Sequence, residues 1–116
     1  MDCKFKTDLG TVSVNEEVLL NIASYTALGC YGIVGMASKS PKDGLVQLWN
    51  KENLGKGVRL HANEDSVDVD LFIVVEYGTS IGTVARNIID TVKYQVEHQT
   101  GIKVNKVNIS IEDIRV

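Results

Sequence analysis

The chain has 116 residues, 44% hydrophobic and 23% charged, with a formal net charge of -3. A chain of this length buries roughly two thirds of its unfolded surface, so its composition fits one globular domain over residues 1–116 and excludes disordered and fibrous classes. The acidic balance disfavours a nucleic-acid grip, which needs surplus Lys and Arg against phosphates.

Residues Met1 to Gly10 are polar and mixed in charge, without the apolar core of a secretory signal. Cys3 in this stretch is expected near a mobile terminus and open to reaction. Thr11–Val14 reads as a short strand. Asn15 then offers an N-cap, and Glu16 and Glu17 suit the positive end of a helix. Val18, Leu19, Ile22, Ala23, Thr26 and Ala27 recur at three- and four-residue spacing, which predicts a helix over Glu16–Leu28 stopped by Gly29. Cys30 is expected to pack at that helix end as a small hydrophobe.

Gly32–Ala37 is small and apolar, as in a buried strand, and Ser38–Gly44, with Pro41, Asp43 and Gly44, reads as a loop. Leu45–Trp49 and Val58–His61 follow as strands on either side of a polar loop, Asn50–Gly57. In Val67–Val75, the clearest strand, Val67, Val69, Leu71, Ile73 and Val75 share one face. Asp68, Asp70, Phe72, Val74 and Glu76 share the other. Ser80 opens a second helix whose stripe is Ile81, Val84, Ala85, Ile88, Ile89, Val92 and Val96, and Gly101 closes it. Val107, Ile109 and Ile111 alternate with polar residues in a last half-buried strand. The expected fold class is α+β: one mixed sheet in the order β-α-β-β-β-β-α-β, with both helices on one face. No run of about 18 apolar residues is present, so a spanning helix is not expected, and membrane association would require a partner.

No constellation of catalytic or metal-binding residues emerges. His61 has Glu64 and Asp65 nearby, but without a ligand spacing, and His98 falls where a cation suits the end of a helix dipole. Asp68 and Asp70 share a strand face, as paired acid-base carboxylates would, yet no nucleophile is placed to join them, so a solvated face is the simpler reading. Gly55-Lys56-Gly57 is too short for a phosphate loop. Gly29-Cys30-Tyr31-Gly32 has the spacing of an RNA-clamping loop, but it leads from a helix into a strand, which is better explained as helix termination. The two cysteines are too few for a disulfide framework, so reduced thiols in a cytosolic setting are expected. No cofactor, catalytic residue or metal ligand is assigned. Circular dichroism is therefore expected to be unchanged by a strong chelator, and a large loss of signal would expose a hidden metal site.

Several segments in order carry a family likeness. They are Gly10-Thr11-Val12-Ser13-Val14, Glu17-Val18-Leu19, Ile22-Ala23, Gly32-Ile33-Val34-Gly35-Met36 and Lys56-Gly57-Val58. After these come Val67-Asp68-Val69-Asp70-Leu71, Val74-Val75-Glu76-Tyr77-Gly78, Ile81, Val84-Ala85, Thr100-Gly101-Ile102, Val104 and Val107-Asn108-Ile109. Over nearly its whole length the chain resembles the alkaline shock protein family of Gram-positive bacteria, also described as general-stress or envelope stress response proteins. The resemblance implies a cytoplasmic, non-enzymatic protein that self-associates or docks on a membrane-anchor protein. An accessory role for a lipid-metabolism enzyme is the alternative it implies, because this chain lacks the long charged tails of larger members.

The residues themselves suggest where a contact would form. If both helices cover the face holding Val69, Leu71 and Ile73, then Phe72 and Val74 lie on the other face between Asp70 and Glu76. An aromatic beside a β-branched residue on a polar face is a candidate interface centre. Trp49, the only tryptophan, is either an anchor for the same contact or a residue closing one end of the core.

Overall fold

The first helix forms where its caps demand. The side chain of Asn15 accepts a 2.8 Å hydrogen bond from the Glu17 backbone N–H, and helix α1 runs over Glu16–Leu28. Gly29 ends it, and its N–H reaches back to carbonyls of the last turn. Helix α2 spans Ile81–Thr100 and stops at Gly101, whose φ of 78° is left-handed. In this computed structural model the described residues are 2–39, 46–49 and 57–116. The predicted loop Ser38–Gly44 and the loop before Gly57 therefore lie largely outside them.

The strands are β1 (Asp2–Thr7), β2 (Gly10–Asn15), β3 (Ile33–Lys39), β4 (Val46–Trp49), β5 (Val58–Ala62), β6 (Ser66–Glu76) and β7 (Lys103–Arg115). The α+β class and the order of elements from β2 onward follow the sequence pattern. The first strand does not: Asp2–Thr7 pairs antiparallel with β2 in a separate two-stranded sheet. Cys3 is consequently buried at 7% exposure, not a reactive terminal thiol, because the hairpin turns it into the core.

Strand β6 is the spine of the main sheet. Its first half pairs antiparallel with β5, from Ala62↔Val67 to Val58↔Leu71. Its second half pairs antiparallel with β3, through Met36↔Ile73 and Ile33↔Val75. These two partners sit end to end along one flank of β6. The other flank pairs parallel with β7, as α2 crosses over between them. β4 extends the sheet beyond β3.

The place where β3 gives way to β5 is occupied by Gly57. Its φ is 73°, and a Cβ added there would lie 2.5 Å from the Ala37 carbonyl oxygen. Its own carbonyl accepts a 2.8 Å bond from the Phe72 N–H. The glycine in Gly55-Lys56-Gly57 thus lets two strand ends meet beside a third.

The core lies between the helices and one face of the sheet. Leu19, Ala23 and Ala27 of α1 and Val84, Ile88, Val92 and Val96 of α2 pack on Val67, Val69, Leu71, Ile73 and Val75. Arg86, Asn87 and Lys93 are exposed, as the helical stripe requires. Two members of the predicted stripes are exposed: Val18 at 45% and Ile81 at 40%. Both occupy the first turn of their helices, where the apolar stripe has not yet settled onto the sheet.

The hairpin is tied to the main body by Phe5, which is half-buried against this core. A Cβ at Gly101 would come within 2.9 Å of the Phe5 ring. Gly101→Ala is expected to lower the melting temperature, through left-handed strain of roughly 1–2 kcal/mol and a displaced ring. Because a side chain can swing aside, the loss should stay near that range. A variant with an unchanged melting temperature would show that neither contact matters.

Candidate interaction surface

The face of the sheet turned away from the helices is polar, and its rows follow from strand register. Arg59 of β5 stands opposite Asp70, and His61 stands opposite Asp68. On the other flank Asp68, Asp70 and Phe72 face Lys106, Asn108 and Ser110 of β7. Arg59, His61, Lys106 and Asn108 are exposed. Amide donors span the rows: Asn108 Nδ2 donates to Asp70 Oδ1 at 2.8 Å. Asp68 Oδ1 accepts from Asn63 at 3.2 Å and from Asn105 at 3.0 Å. The two aspartates are thus bound as acceptors among amide groups.

Phe72 is half-buried at the centre of this face, and the Arg59 guanidinium lies over its ring, 5.3 Å from the centroid. Such a stacked cation contributes about 0.5–1 kcal/mol at an exposed site. Sequence reasoning does not single out Arg59. Its signal is the alternation of Val58–His61, which places it on the outer face, but its neighbour depends on a register that local pattern does not give. Val74 is also on the outer side of β6 but is 1% exposed, so it offers no surface. It follows the β7 irregularity between Ile73 and Val74, where Glu112 is inserted opposite β6. The Ser110 hydroxyl donates to Glu112 Oε2 at 3.2 Å, and Glu112 Oε1 is buried with no hydrogen-bond partner among the described residues. The backbone of Trp49 lies opposite Met36 in β4. The side chain of Trp49, on which the choice between anchor and core cap turns, lies outside the described residues.

His61 is exposed on the outer face. His98 is in the last turn of α2, with its ring stacked on Tyr94 at 5.4 Å and an interplanar angle of 7°. Among the described residues no three His, Cys, Asp or Glu side chains gather as a metal would require. Cys30 donates to the Thr26 carbonyl at 3.4 Å, and burial pushes its thiol pKa up. The thiol is held protonated at neutral pH, the opposite of an activated nucleophile. Cys30 is expected to alkylate more slowly than a free thiol at pH 8, and an equal rate would contradict this burial.

Two hollows among the described residues are small. One of about 260 Å³ lies between the hairpin and the start of β6, lined by Cys3, Phe5, Asn63 and Ile102 among others. Another of about 230 Å³ lies beside Tyr31, Ser80 and Val84. Both are below the ~300–1,000 Å³ of ordinary small-molecule sites. No helix among the described residues is long and apolar enough to cross a membrane.

By fold, the chain is similar to a solved structure described as MamM CTD, copper form, with a TM-score of 0.52 at 15% identity, covering 87% of this chain and 88% of that one. By sequence, it is 40% identical to the uncharacterized protein YloU of Bacillus subtilis, across 100% of this chain and 98% of the relative. It is 31% identical to a stress response regulator gls24 homolog of Streptococcus pyogenes, over 85% of this chain and 54% of that protein. Residues 4–116 match the profile of the alkaline shock protein 23 family, described by a cell envelope-related function. The alkaline-shock likeness of the sequence and this match coincide: the chain belongs to the alkaline shock protein 23 family.

Proposed function

We propose that this protein is a non-enzymatic stress-response or envelope-associated factor that acts through protein contacts, with itself or by docking on a membrane-anchor protein. Its 116 residues act as one unit in the cytoplasm, reaching the membrane only through a partner. The observation that supports this best is the outer face of β5, β6 and β7. It carries Arg59 stacked on Phe72 amid exposed polar side chains. An Arg on an aromatic is a common interface anchor, since both side chains present area and direction at once.

The test is affinity purification with mass spectrometry, comparing the native chain with Phe72→Asp. Capture of a membrane anchor by the native chain, lost in a folded Phe72→Asp variant, supports the reading. Capture of a lipid-metabolism enzyme instead would favour the accessory role. A folded variant that keeps every partner removes Phe72 from the contact, and a turnover measured with the purified protein would overturn the non-enzymatic assignment.

A further inference from the structure

The geometry points to the free edge of β7 as the place where a second copy of this chain binds, strand against strand, antiparallel about Ile109. It deepens the self-association branch of the proposal above and rests on it, but uses a different surface from Phe72.

Strand β7 is 13 residues long, and among the described residues it pairs with β6 alone. Its outer edge therefore presents backbone groups without strand partners. Two of them are closed by carboxylates. The Val104 N–H donates to Glu97 Oε2 at 2.9 Å, and the Ile114 N–H donates to Asp113 Oδ1 at 2.8 Å. Val104 and Ile114 lie opposite Val67 and Val75, so both belong to the core-facing set of β7 with Val107, Ile109 and Ile111. Residues on one face of a strand send their N–H and C=O to the same flank. The N–H and C=O of Val107, Ile109 and Ile111 accordingly point away from β6, between the two closed ends.

The residues of this open stretch are self-complementary. An antiparallel ladder with Ile109 on the two-fold axis sets Val107 opposite Ile111 and Asn108 opposite Ser110. It also sets Lys106 opposite Glu112, twice by symmetry. Apolar residues meet apolar ones on the helix side, and opposite charges meet on the outer side, as favourable cross-strand pairs require. Within one copy Lys106 is exposed opposite Asp68, and Glu112 keeps an oxygen without a hydrogen-bond partner among the described residues. Further out, the closed Val104 and Ile114 and the like-charged Lys103 and Arg115 end the ladder. The competing use of bulges and charge on an edge is to block pairing. Here the bulged residues are Asn105 and Glu112, which flank a regular stretch from Lys106 to Ile111, and Glu112 stays on the outer side, where it accepts from the Ser110 hydroxyl.

Sedimentation or light scattering over a range of protein concentrations tests this, since a contact limited to one strand edge should be reversible. The native chain is expected to rise from monomer to dimer mass. Lys106→Glu, an exposed substitution, places like charges opposite Glu112 and should weaken the dimer about tenfold or more. The double variant Lys106→Glu with Glu112→Lys should restore it, while Phe72→Asp should leave the dimer in place. A native chain that stays monomeric at every concentration overturns the proposal and shows the edge to be merely blocked. So does a Lys106→Glu variant with native dimer affinity. Neither result touches docking on a partner through Phe72, which the affinity experiment reads separately.

Discussion

Ile88→Ala is expected to cost about 2–5 kcal/mol of folding stability, the range for truncating a large buried aliphatic side chain. Ile88 is 0% exposed and sits midway along α2, in the cluster with Val69, Leu71 and Leu19. The loss has two parts. Three carbons are no longer removed from water, and a void opens beneath a helix that is anchored at both neighbouring stripe positions, Val84 and Val92. Those anchors limit collapse of the void, which places the expected value away from the low end. Thermal or denaturant unfolding of the single variant measures it. An unchanged melting temperature would mean that α2 turns a different face to the sheet.

Gly57→Ala is the second large effect, and its origin is backbone. The left-handed conformation alone costs an L-residue roughly 1–2 kcal/mol. Added to this, the new methyl group would press on the Ala37 carbonyl oxygen at 2.5 Å and the Met36 Cβ at 3.1 Å. Neither can rotate away, because both belong to β3, which β6 holds at Met36 and β4 holds at Met36 and Ala37. Relief requires β3 and β5 to part, which would disturb the Phe72 N–H bond to the Gly57 carbonyl. Gly57→Ala should therefore destabilise by more than the conformational term, and by more than Gly101→Ala. If the two variants melt at the same temperature, the junction is looser than its geometry indicates.

These two sites differ in how visible they are in the sequence. Ile88 is legible because a helix repeats every 3.6 residues, so one stripe marks both the element and its buried side. The same holds for β6, whose alternation of Val67 to Val75 names the core face directly. Gly57 is not legible, since its role depends on the ends of two strands meeting beside a third. Strand β1 carries a faint signal: buried Cys3 and half-buried Phe5 alternate with exposed Lys4 and Lys6. Two apolar residues among lysines are too few to declare a strand without seeing β2 opposite. At the candidate surface, the alternation of β6 places Phe72 on its outer side. It cannot supply Arg59 above the ring or the burial of Val74, because each depends on which strand lies next door and where its irregularities fall.

The parallel pairing of β6 with β7 has a consequence for how the chain acquires its shape. Asp70 and Asn108 are joined across 38 residues, and between them lies the whole of α2. Hairpins such as β5–β6 can close as soon as they are made, but this contact must wait for the helix and the strand beyond it. During synthesis β6 is finished while one of its flanks is still bare, and its apolar side lacks the cover of α2. A nascent chain paused before Ile81 would therefore be a sticky intermediate, the species that chaperones recognise. Folding speed should then depend on how early α2 forms. Substitutions that strengthen its exposed positions as a helix should speed refolding more than equal stabilisation placed in the β1–β2 hairpin.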